Sequence, residues 1–429
     1  MARLAGLIVS VAVVAGCGIV GPGQSNRATP KQAMSPQIAY VGSDDQIYVA
    51  EADGSSARAV TRQVTGLSTD QDWVYRWPTY SPDGKRLAFA GYRTAGSQAP
   101  AAGPASAAVL VADVGSATTT GLLESASLAT IYLSWSADSR HLAALLQHGS
   151  DLELHLFDTS AKDQPRRLLV GQPLYWSWAP DGSALAVHVG GDANSASDAW
   201  VGLLHLGSAD SREERFADAP GAFRAPAWSP AGTKLAYATL AGGISLLTVR
   251  DAAGQVTHTA SLGTGDVAFN WSPSGDWLAF AAGDPGRPGV YQGLEVAHSD
   301  GSERHRLSQD PVVAFYWSPD ATRLAVVGID QAARTLNWSV LSVDGKSKRA
   351  LNGFVPSGDF GFQLPFFDQY AQSTSVWSAD SKRLVYGADS GGDRSNGSGQ
   401  GERVMVLDAD GVAPAAVVAS GGMAVWSPP

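Results

Sequence analysis

Short apolar runs recur along this chain, each ending in an aromatic residue, breaking at a small polar cluster and resuming as a second apolar run. Residues 178–187, WAPDGSALAV, are representative. The pattern predicts two strands joined by a tight turn, in which Pro pre-sets φ and Asp and Gly tolerate the remaining turn geometry. It returns as YSPDGKRLAF (80–89), WSADSRHLAA (135–144), WSPAGTKLAY (228–237), WSPSGDWLAF (271–280), WSPDATRLAV (317–326) and WSADSKRLVY (377–386). The seven copies start 43 to 60 residues apart. Downstream of most copies comes a third apolar run, a second Asp- or Gly-bearing turn and a fourth short run, as in LEVAHSDGSERHRLS (294–308) and VMVLDADGVAPAAVV (404–418).

Four antiparallel strands per repeat of about 45 residues is the signature of a β-propeller blade. The runs show little polar alternation, as expected of strands covered on both faces by neighbouring blades. The ends of the chain fit the same scheme. Residues 37–61 read as strands two to four of a blade lacking its first strand, and the last residues, GGMAVWSPP, read as that missing strand. Pairing them would close the ring and leave no free edge. The expectation is therefore an all-β propeller over 37–429 with eight blades, or seven if one copy is absorbed by a neighbour.

These repeats resemble those of the TolB-type propellers, whose hallmark is a WSPDG turn followed by a Leu-Ala-Phe-like strand. The resemblance covers nearly all of the chain after its first 36 residues and implies the propeller and a binding role. TolB itself carries an α/β domain ahead of its propeller and is a soluble periplasmic protein. This chain has a different N-terminus: one basic residue, Arg3, then an apolar run from Leu4 to Ala15, then its single cysteine. That run is too short to span a bilayer and reads as an export signal, residues 1–16. Val14-Ala15-Gly16-Cys17 resembles a bacterial lipobox, which implies lipidation of Cys17 and anchoring to the outer surface of the membrane, or facing the periplasm; two acyl chains hold a protein stably where one does not. Residues 17–36, rich in Gly, Pro and small polar residues, suit a flexible tether.

Composition narrows the chemistry. With Cys17 lipidated no thiol remains for a nucleophile, a disulfide or a metal site. Removing the signal takes the net charge from -10 to -11, a sign that repels a phosphate backbone and excludes nucleic acid as a partner. The turn Asp recurs at 83, 138, 181, 320 and 380 but is Ala231 and Ser274 in the other two copies, so it caps turns and does not catalyse. There is no G-x-S-x-G elbow. Gly345-Lys346-Ser347 lacks the first Gly of a phosphate loop and lies in a hairpin. ADSGGD (388–393) resembles the nucleophile segment of trypsin-like proteases but falls in a long Gly/Ser loop. No His-x-x-x-His pair occurs, His148 and His155 flank a hairpin, and no metal or cofactor is expected.

The long segments, 62–77, 91–108, 190–199, 353–374 and 389–401, fall at second turns or links between blades, on the face opposite the SPDG turns. Loops on a rigid scaffold are where binding concentrates. Two of them are aromatic: 353–374 holds Phe354, Phe360, Phe362, Phe366, Phe367 and Tyr370 among Asp359, Asp368 and Gln369, and 69–79 adds Trp73, Tyr75, Arg76 and Trp77. Aromatic and Arg side chains anchor interfaces and ligand pockets. They serve equally to plug the channel mouth, and both readings stand at this level. The leading function is a membrane-anchored binding or scaffold module that takes a protein partner or small ligand on the long-loop face. The alternatives are a hydrolase or lyase acting on glycan or peptide with Asp359 and Asp368 as acid and base, and a ligand-sensing accessory subunit of a membrane transporter or kinase.

Overall fold

A computed structural model describes residues 36–69, 72–93, 106–160, 163–190, 199–207, 210–221, 223–390 and 401–428. The export signal, Cys17, the tether through residue 35, and most of segments 91–108, 190–199 and 389–401 lie outside the described residues.

The protein is a β-propeller. Each copy of the turn repeat joins an inner strand to a second strand, and two more strands follow outward. In the third unit Ala129–Trp135, His141–His148, Asp151–Asp158 and Arg166–Gly171 pair in that order, all antiparallel. The fourth unit (Leu174–Trp178 to Ser211–Arg215) and the fifth (Ala227–Trp228 to Val256–Ser261) repeat this meander. The second unit, Trp73–Tyr80 to Thr118–Ser125, gains a short parallel edge strand, Val64–Thr65. The sixth, Val267–Trp271 to His305–Ser308, carries an extra strand, Arg287–Tyr291, which reaches the seventh (Val312–Trp317 to Lys348–Pro356) through Tyr291↔Val312. In the eighth, the inner strand is reduced to a bridge, Trp377↔Leu384.

The strand Ala416–Trp426 serves two units. Its first part pairs with Glu402–Asp408 as the outer strand of the eighth, and its second part pairs with Gln37–Gly42 as the inner strand of the first, Ile38↔Trp426 through Val41↔Met423. The expected pairing of the two chain ends is thus present.

The turns show why the repeat has its composition. In YSPDG, the Ser81 hydroxyl donates to Asp83 (2.6 Å) and accepts from the Arg86 amide (3.0 Å), while Asp83 accepts from the Lys85 amide (3.1 Å). Burial alone would raise the Asp83 carboxyl, but these donors and Arg86 hold it below its ordinary range. The fifth turn position is left-handed in all seven copies, the region glycine enters without strain. Four copies have Gly there; Ser139, Ala321 and Ser381 occupy it in the others. The two serines are compensated: Ser139 accepts from the Asp83 amide and Ser381 from the Asp320 amide, each at 3.1 Å, bonding one unit's turn to the preceding unit's.

Tryptophans join the units. The indole nitrogens of Trp135, Trp178, Trp271, Trp317 and Trp377 donate to Thr79, Ser134, Ala227, Asn270 and Tyr316, each on the inner strand of the preceding unit, at 2.8–3.3 Å. Each of these indoles combines apolar burial with a satisfied donor.

Candidate functional site

The segment 353–374 does not stay a loop. Ser357 caps a helix, Gly358–Gln363, by accepting from the Phe360 amide (3.2 Å) and donating to the Gly422 carbonyl. A single 3-10 turn, Leu364–Phe366, and a last helical turn, Phe367–Tyr370, follow. Gly361 and Pro365 are poor helix residues, so tertiary contacts impose this shape.

Those contacts reach every unit. Gln363 meets Met423 in the first unit, and Phe362 and Tyr370 meet Trp77 in the second. The Tyr132 hydroxyl of the third donates to the Gln369 carbonyl (2.9 Å). The Gln369 amide donates to the Trp176 carbonyl of the fourth (3.0 Å), and Arg224 of the fifth donates to the Pro365 carbonyl (3.0 Å). Phe367 packs on Tyr291 of the sixth and on Phe315 and Tyr316 of the seventh, and Phe360 meets Tyr386 of the eighth. One short segment can touch all eight units only on the axis they surround. It is a plug.

The plug divides the predicted residues into two groups. Phe360, Phe367, Gln369 and Tyr370 are buried and supply core. Phe362, 50 % exposed, and Phe366, 36 % exposed, remain at the surface with ring centroids 6.1 Å apart, and Phe366 lies 6.1 Å from Tyr175. In the second unit the aromatic stretch is an inner strand and not a loop, because W-V-Y-R-W alternates with period two. Trp73 and Tyr75 point into that unit's core. A bulge after Arg76 puts Trp77 at positive φ, and its indole donates to Tyr92 (3.2 Å) while its ring faces Phe362.

The carboxylates are held apart by different partners. Asp359 sits 3.7 Å from Arg76, which also binds Asp45 at 2.7 Å. Burial raises the Asp359 carboxyl, Arg76 opposes this, and Glu402 and Asp45 add to it. Asp368 is enclosed on the opposite side of the plug against Arg224 (3.6 Å), itself buried and paired with Asp266. Burial raises Asp368 too, against the pull of Arg224. Neither carboxylate lines the cavity described next, and no group of three His, Cys, Asp or Glu among the described residues could hold a metal. His148 and His155 both bond the buried Glu153, at 3.2 and 2.7 Å.

A cavity of about 580 Å³ opens on the other face, where the SPDG turns lie. Its lining includes Ala371, Gln372 and Thr374–Trp377 of the plug's exit segment, and the turn residues Pro82, Pro180, Pro230, Pro273 and Pro319. Sequence reasoning pointed only to the long-loop face. It read each Trp and Pro one repeat at a time and had no signal that they converge.

No family model matches the chain, and no curated protein matches it. Solved structures do. Dihydro-heme d1 dehydrogenase NirN in complex with DHE aligns with a TM-score of 0.56 at 13 % identity, over 91 % of this chain and 74 % of that one. A prolyl endopeptidase aligns with a TM-score of 0.54 at 13 % identity, over 83 % of this chain and half of that one. TolB from Acinetobacter baumannii aligns over 86 % of this chain and 88 % of its own, at 14 % identity and a TM-score of 0.40. At these identities the likeness speaks to the fold alone.

Proposed function

We propose that this protein is an exported lipoprotein, anchored through Cys17, whose propeller acts as a binding or scaffold module of the cell envelope. The observation that carries the reading is the exposed pair Phe362 and Phe366 on a plug fixed by all eight units. Exposed aromatics on a rigid support lose little conformational entropy on binding and make effective interface anchors. Asp359 of the same plug pairs with Arg76, which also binds Asp45. The occupant this patch suits is a protein partner, and the negative net charge disfavours nucleic acid. The lipobox-like Val14-Ala15-Gly16-Cys17 supports the anchor, and no helix among the described residues is long and apolar enough to cross a membrane.

Two measurements test the reading. Metabolic labelling with an alkyne fatty acid should be lost in Cys17→Ser; label that persists removes the anchor. A photo-crosslinking residue at Phe362 should capture a discrete species in intact cells, identified by mass spectrometry. A control crosslinker at Val412, 85 % exposed, should not capture it. The same species from both positions, or none from Phe362, overturns the partner face. The hydrolase alternative draws no support from carboxylates paired to separate arginines and absent from the wall of the SPDG-face cavity.

A further inference from the structure

Five aromatic rings follow one another across the plug face. Between ring centroids, Trp77 lies 5.2 Å from Phe362, Phe362 6.1 Å from Phe366, Phe366 6.1 Å from Tyr175, and Tyr175 4.5 Å from Phe223. All five residues are at least partly exposed. The row starts on the second unit's inner strand, crosses the plug and the fourth unit's inner strand, and ends just ahead of the fifth. Successive rings are tilted by 36°, 45°, 71° and 34°, so they do not form the flat platform on which a sugar or a planar ring system stacks. Tilted rings leave clefts between them, and clefts take separate side chains. Steps of 4.5–6.1 Å make the row at most about seven residues of extended chain in length.

The two ends of the row are built alike. Each terminal ring adjoins an arginine in the chain, Arg76 beside Trp77 and Arg224 beside Phe223. Each arginine faces one plug carboxylate, Asp359 at 3.7 Å and Asp368 at 3.6 Å. Each also pairs with one carboxylate outside the plug, Asp45 and Asp266. These outer carboxylates are the open members of the two clusters: Asp45 is 41 % and Asp266 40 % exposed, against 26 % for Arg76 and 7 % for Arg224. An incoming chain therefore meets aromatic surface along the row and a carboxylate at either end. Acidic side chains at its ends would face like charge, whereas Lys or Arg would be drawn in.

We infer that the plug face receives an extended segment of a partner protein, apolar in its middle and basic at both ends. The assignment rests on the plug face being the partner face.

The test titrates the purified protein by calorimetry with three octapeptides: KKLFPLKK, EELFPLEE with acidic ends, and KKSGSGKK without an apolar middle. KKLFPLKK should bind at least about tenfold more tightly than either of the others, and its lead over EELFPLEE should narrow as salt is raised. Removing the charge at both ends, in Asp45→Asn with Asp266→Asn, should shrink that lead several-fold. Glu303→Gln with Asp410→Asn changes the net charge equally on the SPDG face and should leave the lead intact. Equal affinity for KKLFPLKK and EELFPLEE, an equal loss in both double variants, or KKSGSGKK binding as tightly as KKLFPLKK would overturn the assignment. So would binding of chitohexaose in place of the peptides, which would give the face to a glycan. Photo-crosslinking from Phe362 separates this inference from the reading beneath it. Capture of a partner whose crosslinked segment carries no Lys or Arg overturns the basic ends alone, and capture of nothing overturns the face. The peptide series needs no variant, so a variant that fails to fold leaves the test intact.

Discussion

Phe366 and Phe367 are neighbours in the chain with opposite surroundings, and substituting each by Ala separates the plug's two roles. Phe367 is 0 % exposed, with its ring 4.8 Å from Phe315, 5.9 Å from Tyr316 and 6.0 Å from Tyr291. Truncation there removes a fully buried ring from three aromatic neighbours in two units, and the site is too constrained to collapse. The expected cost is about 3–5 kcal/mol. With an unfolding entropy of about 0.8 kcal/mol/K for a domain of about 390 residues, that corresponds to a fall in Tm of ~4–6 °C. Phe366 keeps 36 % of its surface in water, and Ala there should cost about 1 kcal/mol or less. Scanning calorimetry, with denaturant unfolding as a check, measures both. Photo-crosslinking from Phe362 in the same two variants then reads partner capture. It should fail in Phe366→Ala, which stays folded, and survive in Phe367→Ala below its lowered Tm. Equal destabilisation by the two substitutions would refute the plug geometry. Undiminished capture in Phe366→Ala would refute the partner face even with the stabilities as expected.

Four further outcomes follow from the same geometry. Ala321→Gly should stabilise by about 0.5–1 kcal/mol, because Ala321 bears left-handed strain without the bond that compensates Ser139 and Ser381, whereas Ser139→Gly should gain nothing; chemical denaturation checks both. Trp377→Phe leaves the buried Tyr316 carbonyl short of its donor and should cost about 1–3 kcal/mol beyond lost packing, a penalty absent from Trp228→Phe, whose indole nitrogen has no partner. Gly387→Ala should prevent native folding at growth temperature, since a Cβ there would overlap the Gly422 carbonyl and press on Ser357 Oγ; soluble yield and circular dichroism report it. Burial lowers His188 to about 4, only partly offset by its bond to the Arg224 carbonyl. Its contribution is therefore whole above the unfolded value near 6.5 and is lost as pH falls toward 4, by ~3 kcal/mol, a slope that should vanish in His188→Gln.

The parts of this fold that could be read from the chain are those whose causes are local. The turn at 80–84 needs a hydroxyl, a carboxylate and a left-handed residue at fixed offsets, so its recurrence counts units without any tertiary information. The pairing of 421–426 with 37–42 was legible for a related reason, since each end lacked what the other supplied. The stretch 69–79 reads as a loop because its aromatic content outweighs its alternation, which from Trp73 onward is that of an inner strand. The plug could be suspected from aromatic density but not resolved. Its deciding contacts, Gln369 with Trp176 and with Tyr132, join residues 193 and 237 positions apart, and nothing near Gln369 in sequence encodes them.

The cavity was missed for a different reason. Within a single repeat, the Trp is a seam-filler and the Pro a turn-former, and both descriptions remain correct in the structure. Arranged around an axis, four copies put both an indole and a pyrrolidine on the same rim, two add an indole alone and one a pyrrolidine alone, and their sum is an uncharged aromatic wall that no copy displays. The plug supplies the remaining surface, because the chain that leaves Tyr370 runs through 371–376 into the eighth inner strand. A segment that looked like elaboration of one face therefore serves both. Phe362 and Phe366 shape the face where the plug enters, and Ala371, Gln372, Thr374, Ser375 and Val376 help line the cavity where it leaves, so substitutions that shift Phe367 should change the shape of both faces as well as stability.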